Sequence, residues 1–130
     1  MTDTITVAAI QMEPLIGQVE RNRAHSLHLI GQAADRGATL AVLPELTNSG
    51  YVFETREEAM ALAEDAWTGP TVQAWSALAA QRGLYLVAGL CERAGDDLFN
   101  SAVVIGPGGV LGVFRKIHLW DQENRFFTPG

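Results

Sequence analysis

The sequence predicts an α/β fold built on a parallel sheet, and three observations carry the prediction. Leu40-Ala41-Val42-Leu43 is apolar at every position, the pattern of a strand covered on both faces rather than a half-exposed hairpin strand. Leu84–Leu90, LYLVAGL, repeats it and reads as a second central strand. Between a first strand signal at Ile5–Gln11, ITVAAIQ, and Leu40, apolar residues recur at three- and four-residue steps. That pattern is a helix, and strand, helix and strand together make a βαβ unit with a right-handed crossover.

Composition narrows the class. A chain of 130 residues with 48% hydrophobic residues suits one domain with its own core. The net charge of −6, from 15 acidic and 9 basic residues with no basic run, speaks against a nucleic-acid or anionic-membrane partner. No apolar stretch reaches about 18 residues and no charged-then-apolar leader is present, so the expectation is a cytoplasmic chain outside the membrane. The single cysteine, Cys91, excludes an internal disulfide and a cysteine-based metal cluster. Eight of the nine basic residues are arginine, which singles out Lys116, because an ammonium and a guanidinium do different chemistry.

In chain order, Glu13-Pro14-Leu15-Ile16-Gly17 breaks the first strand into a loop. Ala24, Leu27, Ile30 and Ala34 then form one stripe of a helix from Val19 to about Arg36, closed by Gly37. His25 and His28 on this helix read as packing or surface residues, since no carboxylate or cysteine stands beside them at ligand spacing. After Leu43, Pro44 ends the strand, because it cannot donate to the ladder and restricts its predecessor. Glu45 is thereby placed at the carboxyl end of a buried strand, where open α/β sheets form their ligand crevices. It is either a general base or an ordinary solvated glutamate, and Pro44-Glu45-Leu46 alone does not decide.

Beyond a corner at Asn48-Ser49-Gly50, Thr55 followed three residues later by Glu58 has the form of a capping box opening a helix through Ala59, Met60, Leu62 and Ala63. Glu54, Glu57, Glu58, Glu64 and Asp65 are expected on its solvated face. Gly69-Pro70-Thr71 opens another helix that carries Val72, Trp75, Leu78 and Ala79 inward and stops at Gly83. Cys91 has neither an adjacent histidine nor a glycine-rich elbow and reads as a buried structural thiol. After a turn at Asp96-Asp97, strands at Leu98–Ile105 and Val110–Lys116 flank Gly106-Pro107-Gly108-Gly109, a strong hairpin signal. The remainder, from Ile117, reads as a loop.

The ordered set Pro44-Glu45-Leu46, Ser49-Gly50-Tyr51, the asparagine-bearing strand at Asn100, Phe114 to Trp120 (FRKIHLW), Glu123 and Phe127-Thr128-Pro129-Gly130 resembles the nitrilase, or carbon–nitrogen hydrolase, superfamily. The resemblance runs from end to end and implies an αββα sandwich of two similar halves, with this chain supplying one α/β half. It implies a Glu-Lys-Cys mechanism, a small amide or nitrile substrate, no metal or organic cofactor, and a homo-oligomer at full length. Carried over by motif, Glu45 is the general base that takes the thiol proton, Lys116 the cation beside the developing oxyanion, and Glu123 a second, positioning glutamate. Thiolate attack on an amide or nitrile carbon needs such a base and a fixed positive charge where negative charge accumulates.

The family's nucleophilic cysteine lies after the lysine motif on a strand-to-helix turn, whereas Cys91 precedes Lys116. The reading is therefore the N-terminal part, residues 1–130, of a single hydrolase domain, expected to be inactive alone. Two functions stay open: a carbon–nitrogen hydrolase seen without its nucleophile, or a noncatalytic half-domain that binds or assembles with another chain. His118-Leu119-Trp120 leans the first toward amidases.

Overall fold

The computed structural model describes residues 3–130. Its five-stranded sheet runs in chain order, β1 (Val7–Ala9), β2 (Leu40–Val42), β3 (Tyr85–Ala94), β4 (Asp97–Gly106) and β5 (Gly109–Arg115). Helices α1 (Val19–Asp35), α2 (Arg56–Leu62) and α3 (Pro70–Arg82) fill the connections. Among the described residues, no helix is long and apolar enough to cross a membrane.

The sheet is mixed. β1, β2 and β3 pair in parallel through helical crossovers, as the βαβ reading requires. β3, β4 and β5 are antiparallel, because only Gly95-Asp96 and Pro107-Gly108 separate them and so short a turn can only reverse the chain. Pairing along all of β4 also explains why β3 runs beyond Leu90 through Cys91 to Ala94. β1 is shorter than its apolar signal, keeping only Val7–Ala9.

Strand alternation divides the core. On one face Ala41, Leu86, Ala88, Leu90, Val103 and Ile105 meet Ile30 of α1 and Val72, Trp75 and Ala79 of α3. Trp75 is fully buried, and its indole N–H donates to Ser26 Oγ at 2.8 Å, so the largest core side chain also satisfies its polar atom. Gly83, at φ 66, closes α3 in the left-handed conformation that glycine adopts freely.

The opposite face is covered only near the carboxyl ends of β2 and β3. There Leu46, Phe53, Ala59, Cys91, Leu98 and Phe127 form a second cluster under α2. Elsewhere that face leaves Val7, Val42, Tyr85 and Phe114 exposed. Thr55 caps α2, its Oγ1 accepting the Glu58 N–H at 3.1 Å, while the Glu58 carboxylate turns to the Glu54 N–H at 2.7 Å.

One charged residue departs from expectation. Glu64 is buried rather than solvated. Its Oε2 accepts from Asn48 Nδ2 at 3.0 Å, its Oε1 from the Thr71 N–H at 2.9 Å, and Arg23 Nη2 lies 3.5 Å from Oε1. α2 ends at Leu62, so the chain has left the helix before Glu64 and its side chain no longer follows the helical face.

Candidate active site

The site begins where β2 stops. Leu43 N–H still reaches Val87 O at 2.8 Å, and Pro44 then turns the chain. Gly89 N–H donates to Pro44 O at 3.0 Å and Thr47 N–H to Gly89 O at 3.0 Å, which clamps the turn onto β3. A side chain at Gly89 is impossible without movement, since a Cβ there would stand 2.4 Å from Pro44 O and 2.5 Å from Glu45 Cα. The glycine therefore sets the height of Glu45 above the sheet.

The corner behind Glu45 is held by a buried polar network. Asn48 Oδ1 accepts the Cys91 N–H at 2.8 Å while its Nδ2 donates to Glu64. Asn22 of α1 donates to Asn48 O at 3.0 Å and to Leu15 O at 2.8 Å. These bonds join α1, the start of α3 and β3 to one loop, leaving Glu45 to project from it.

Lys116 and Glu123 come from the other side. The Lys116 N–H donates to Asn100 O at 2.8 Å, extending the β4–β5 ladder by one residue. Glu123 lies in a short 3-10 turn, Asp121–Arg125, within the stretch read as loop. Lys116 Nζ is 2.9 Å from Glu45 Oε1, 3.1 Å from Glu123 Oε1 and 2.9 Å from Glu123 Oε2. The structure thus brings Glu45, Lys116 and Glu123 together.

A fourth residue completes the arrangement. Asn100 Nδ2 donates to Glu45 Oε1 at 2.6 Å and to Glu123 Oε1 at 2.7 Å, so a neutral donor and an ammonium both bridge the two carboxylates. Both of the bonds to Glu45, from Asn100 and from Lys116, fall on its Oε1. An open recess of about 240 Å³, lined by Glu45, Asn100, Phe114 and Lys116, lies beside them on the exposed face of the sheet. A larger groove, about 680 Å³, runs between β1 and α1, away from all of these groups. Among the described residues no cluster of His, Cys, Asp and Glu is arranged to hold a metal.

Electrostatics follow from the contacts. Burial alone pushes the Glu123 carboxyl up, but the Trp120 N–H, Lys116 and Asn100 together hold it below the usual carboxylate value. Burial disfavours the Lys116 ammonium, yet Glu123 and Glu45 raise its pKa above the ordinary lysine value. A depressed acid stabilises the fold above its ordinary pKa and loses that contribution as pH falls through the lowered one. A raised lysine does so below its ordinary pKa and loses it as pH climbs through the raised one. Glu123 and Lys116 therefore stay charged and paired throughout neutral pH. In Lys116→Met the Glu123 carboxyl will titrate at higher pH than in the parent, as read from its ¹³C shift, and an unchanged midpoint would mean the ammonium does not hold it.

Cys91 lies elsewhere. Its thiol is fully buried beneath α2, with Sγ 3.8 Å from Ala59 O, and burial pushes its pKa up to about 12. At pH 8 only about one molecule in 10⁴ carries the thiolate that reacts. Iodoacetamide should label the folded chain far more slowly than the urea-unfolded one. Equal rates would show an accessible thiol.

Sequence reasoning named Asn100 and Tyr51 as parts of motifs without a role, read Asn48 only as part of a corner, and put Glu64 on a solvated face. The Tyr51 hydroxyl pKa is raised by burial and by the Glu123 and Glu45 charges. Backbone strain gathers here too. Leu46 (φ 48), Val52 (φ 72) and Asp121 (φ 49) each hold a conformation that costs a non-glycine residue about 1–3 kcal/mol.

Comparison with known proteins bears on this arrangement. The family described as Carbon-nitrogen hydrolase matches residues 6–129. A nitrilase from Pyrococcus abyssi is 46% identical over 126 residues, which are 97% of this chain and 48% of the relative. An omega-amidase from Danio rerio is 36% identical over 123 residues, 84% of this chain and 42% of the relative. The crystal structure of an N-terminal amidase with an Asn-Glu-Ala peptide superposes with a TM-score of 0.85 at 25% identity, covering 97% of this chain and 31% of its own. The chain spans about half the length of the curated relatives it matches.

Proposed function

As this chain belongs to the carbon–nitrogen hydrolase family, we propose that it carries the acid–base and oxyanion half of an active site that hydrolyses a small amide or nitrile. Its fold is an α/β half of the nitrilase-like αββα sandwich. In this reading residues 1–130 are the N-terminal part of one hydrolase domain, the exposed sheet face receives the second sheet, and the nucleophilic cysteine comes from outside these residues. The observation that carries it is the single ammonium of Lys116 shared by Glu45 and Glu123 at 2.9 Å each beside an open recess. Burial of Cys91 supports an external nucleophile.

The steps follow from the roles. Glu45 takes the thiol proton, and the sulfur attacks the amide carbon while Lys116 compensates the charge growing on oxygen. Collapse expels the amine, which leaves with the proton from Glu45, and an acyl thioester remains. Glu45 then takes a proton from water as that oxygen attacks the thioester carbon, and collapse breaks the C–S bond, the sulfur taking the proton back from Glu45 as the acid leaves. Glu123 fixes Lys116 throughout. A nitrile enters the same sequence through a thioimidate.

Joining this chain to the second half of the Pyrococcus abyssi relative and measuring ammonia release from simple amides tests the proposal. The joined protein should turn over, Cys91→Ser should leave that rate unchanged, and the 130-residue chain alone should stay at background. Hydrolysis by the chain alone that Cys91→Ser abolishes would overturn the assignment.

A further inference from the structure

A second cavity, of about 200 Å³, adjoins the proposed site and shares only Glu123 with the chemistry just described. Its floor is Leu46, Phe53 and Phe127, all buried, with Phe53 set edge-to-face against both Phe126 and Phe127 at 5.8 Å between ring centroids. Its rim carries Val52 and Trp120, which are 74% and 66% exposed. Large apolar side chains left this open around a buried aromatic floor are the composition of a ligand pocket. Glu123 is one wall, and its Oε1 bonds to Lys116 and Asn100, which line the recess on the other side. One carboxylate thus separates this cavity from the reacting centre.

Three further observations point the same way. The three non-glycine residues with positive φ among the described residues, Leu46, Val52 and Asp121, all line this cavity. A β-branched valine in that conformation is a genuine outlier, and such backbone persists where it shapes a ligand clamp. The charged groups in the walls are the acids Asp121 and Glu123. Arg125, the nearby cation, is bonded to Gln122 and stacked on Phe126 outside the lining. A carboxylate side chain would meet like charge here, and an ammonium would find Glu123 already answered by Lys116, Asn100 and the Trp120 N–H, leaving it only the solvent-exposed Asp121. The size fits a ring, since a dry apolar cavity of about 150 Å³ admits benzene.

We infer that this cavity receives the side chain of the substrate's acyl part, and that the substrate is an amide or nitrile of an uncharged, apolar acid no bulkier than an arylacetic one. The inference rests on the hydrolase reading for the position of the amide. Trp120 and Val52 are then the residues that set specificity, through contact with the side chain and not with the reacting atoms.

The test is an NMR titration of the 130-residue chain with four amides, acetamide, phenylacetamide, succinamate and β-alaninamide, which present no side chain, an apolar ring, an anion and a cation. Phenylacetamide should bind most tightly and shift the Trp120 indole N–H and the Val52 methyls. Trp120→Ala, which keeps the backbone N–H on Glu123, should weaken phenylacetamide by about five- to tenfold through lost apolar contact and leave acetamide unchanged. Val52→Asp should weaken phenylacetamide as well, so that the outcome does not depend on one variant folding. Tightest binding of succinamate or β-alaninamide, or phenylacetamide binding that neither variant alters, would overturn the inference. If the binding order holds while the joined, longer protein hydrolyses none of the four amides, the hydrolase reading fails and the cavity stands as a site for apolar amides.

Discussion

In a catalytically complete protein, Lys116→Arg will lower turnover by on the order of 10²–10³ although the charge is kept. Lysine presents three donors from one compact nitrogen. Glu45 and Glu123 occupy two directions from Nζ at 2.9 Å, and the third is left for an oxygen that gains charge. A guanidinium is larger, and its donors lie in a fixed plane, so satisfying both carboxylates turns the remaining N–H groups away from a common point. Because the lost contact forms only as charge develops, kcat and kcat/KM should fall together while KM stays nearly constant. Glu45→Gln should be comparably severe through loss of the proton acceptor, about 10²–10⁴. Full turnover in both variants would remove the assigned roles, and a rise in KM alone would reduce Lys116 to a binding residue.

The parts of this arrangement that could be read in the sequence are those set by local chemistry. Pro44 after four apolar residues marks a strand end, and Gly106-Pro107-Gly108-Gly109 marks a hairpin; the chain turns at both. Thr55, Gly69-Pro70 and Gly83 mark helix ends by the groups they leave satisfied or the φ they permit, and the helices begin and end there. Glu45 and Lys116 were singled out because a carboxylate at a strand end and a lone lysine among arginines are conspicuous.

What escaped was set by distant partners. Glu64 looks like its acidic neighbours in sequence, and only Asn48, Thr71 and Arg23, brought by three other segments, make its burial tolerable. Asn100 looks like any polar residue of an antiparallel strand until Glu45, 55 positions away, arrives beside it. The parallel pairing expected of the first three strands holds where helices intervene, and β4 and β5 form the expected hairpin, but the antiparallel pairing of β3 with β4 went unread. The sheet's mixed character was latent in the two short turns, whose length forbids a parallel neighbour.

Asn48→Ala should destabilise the chain by about 3 kcal/mol or more, the largest loss expected from a single polar side chain here. The alanine removes the acceptor of the buried Cys91 N–H and one donor to the buried Glu64 carboxylate, while the Asn48 backbone carbonyl keeps its bond from Asn22. Each stranded group costs about 1–3 kcal/mol, with a carboxylate at the upper end. Against a typical domain stability of about 5–15 kcal/mol, that is enough to move a urea midpoint clearly. Water could rescue the amide only by entering a space walled by α1, β3 and the start of α3, and the Pro44–Tyr51 loop would have to lift to admit it. Lifting that loop moves Glu45, so the Glu45–Lys116 contact should loosen in the same variant. Asn48→Asp should be worse, because it sets a second carboxylate against Glu64. The double change Asn48→Ala with Glu64→Met, which leaves no acceptor at 64, should cost less than the two single losses added, since both remove the Asn48–Glu64 bond. A single-variant change below about 1 kcal/mol, or strict additivity in the double variant, would show that the network does not hold the corner from which Glu45 projects.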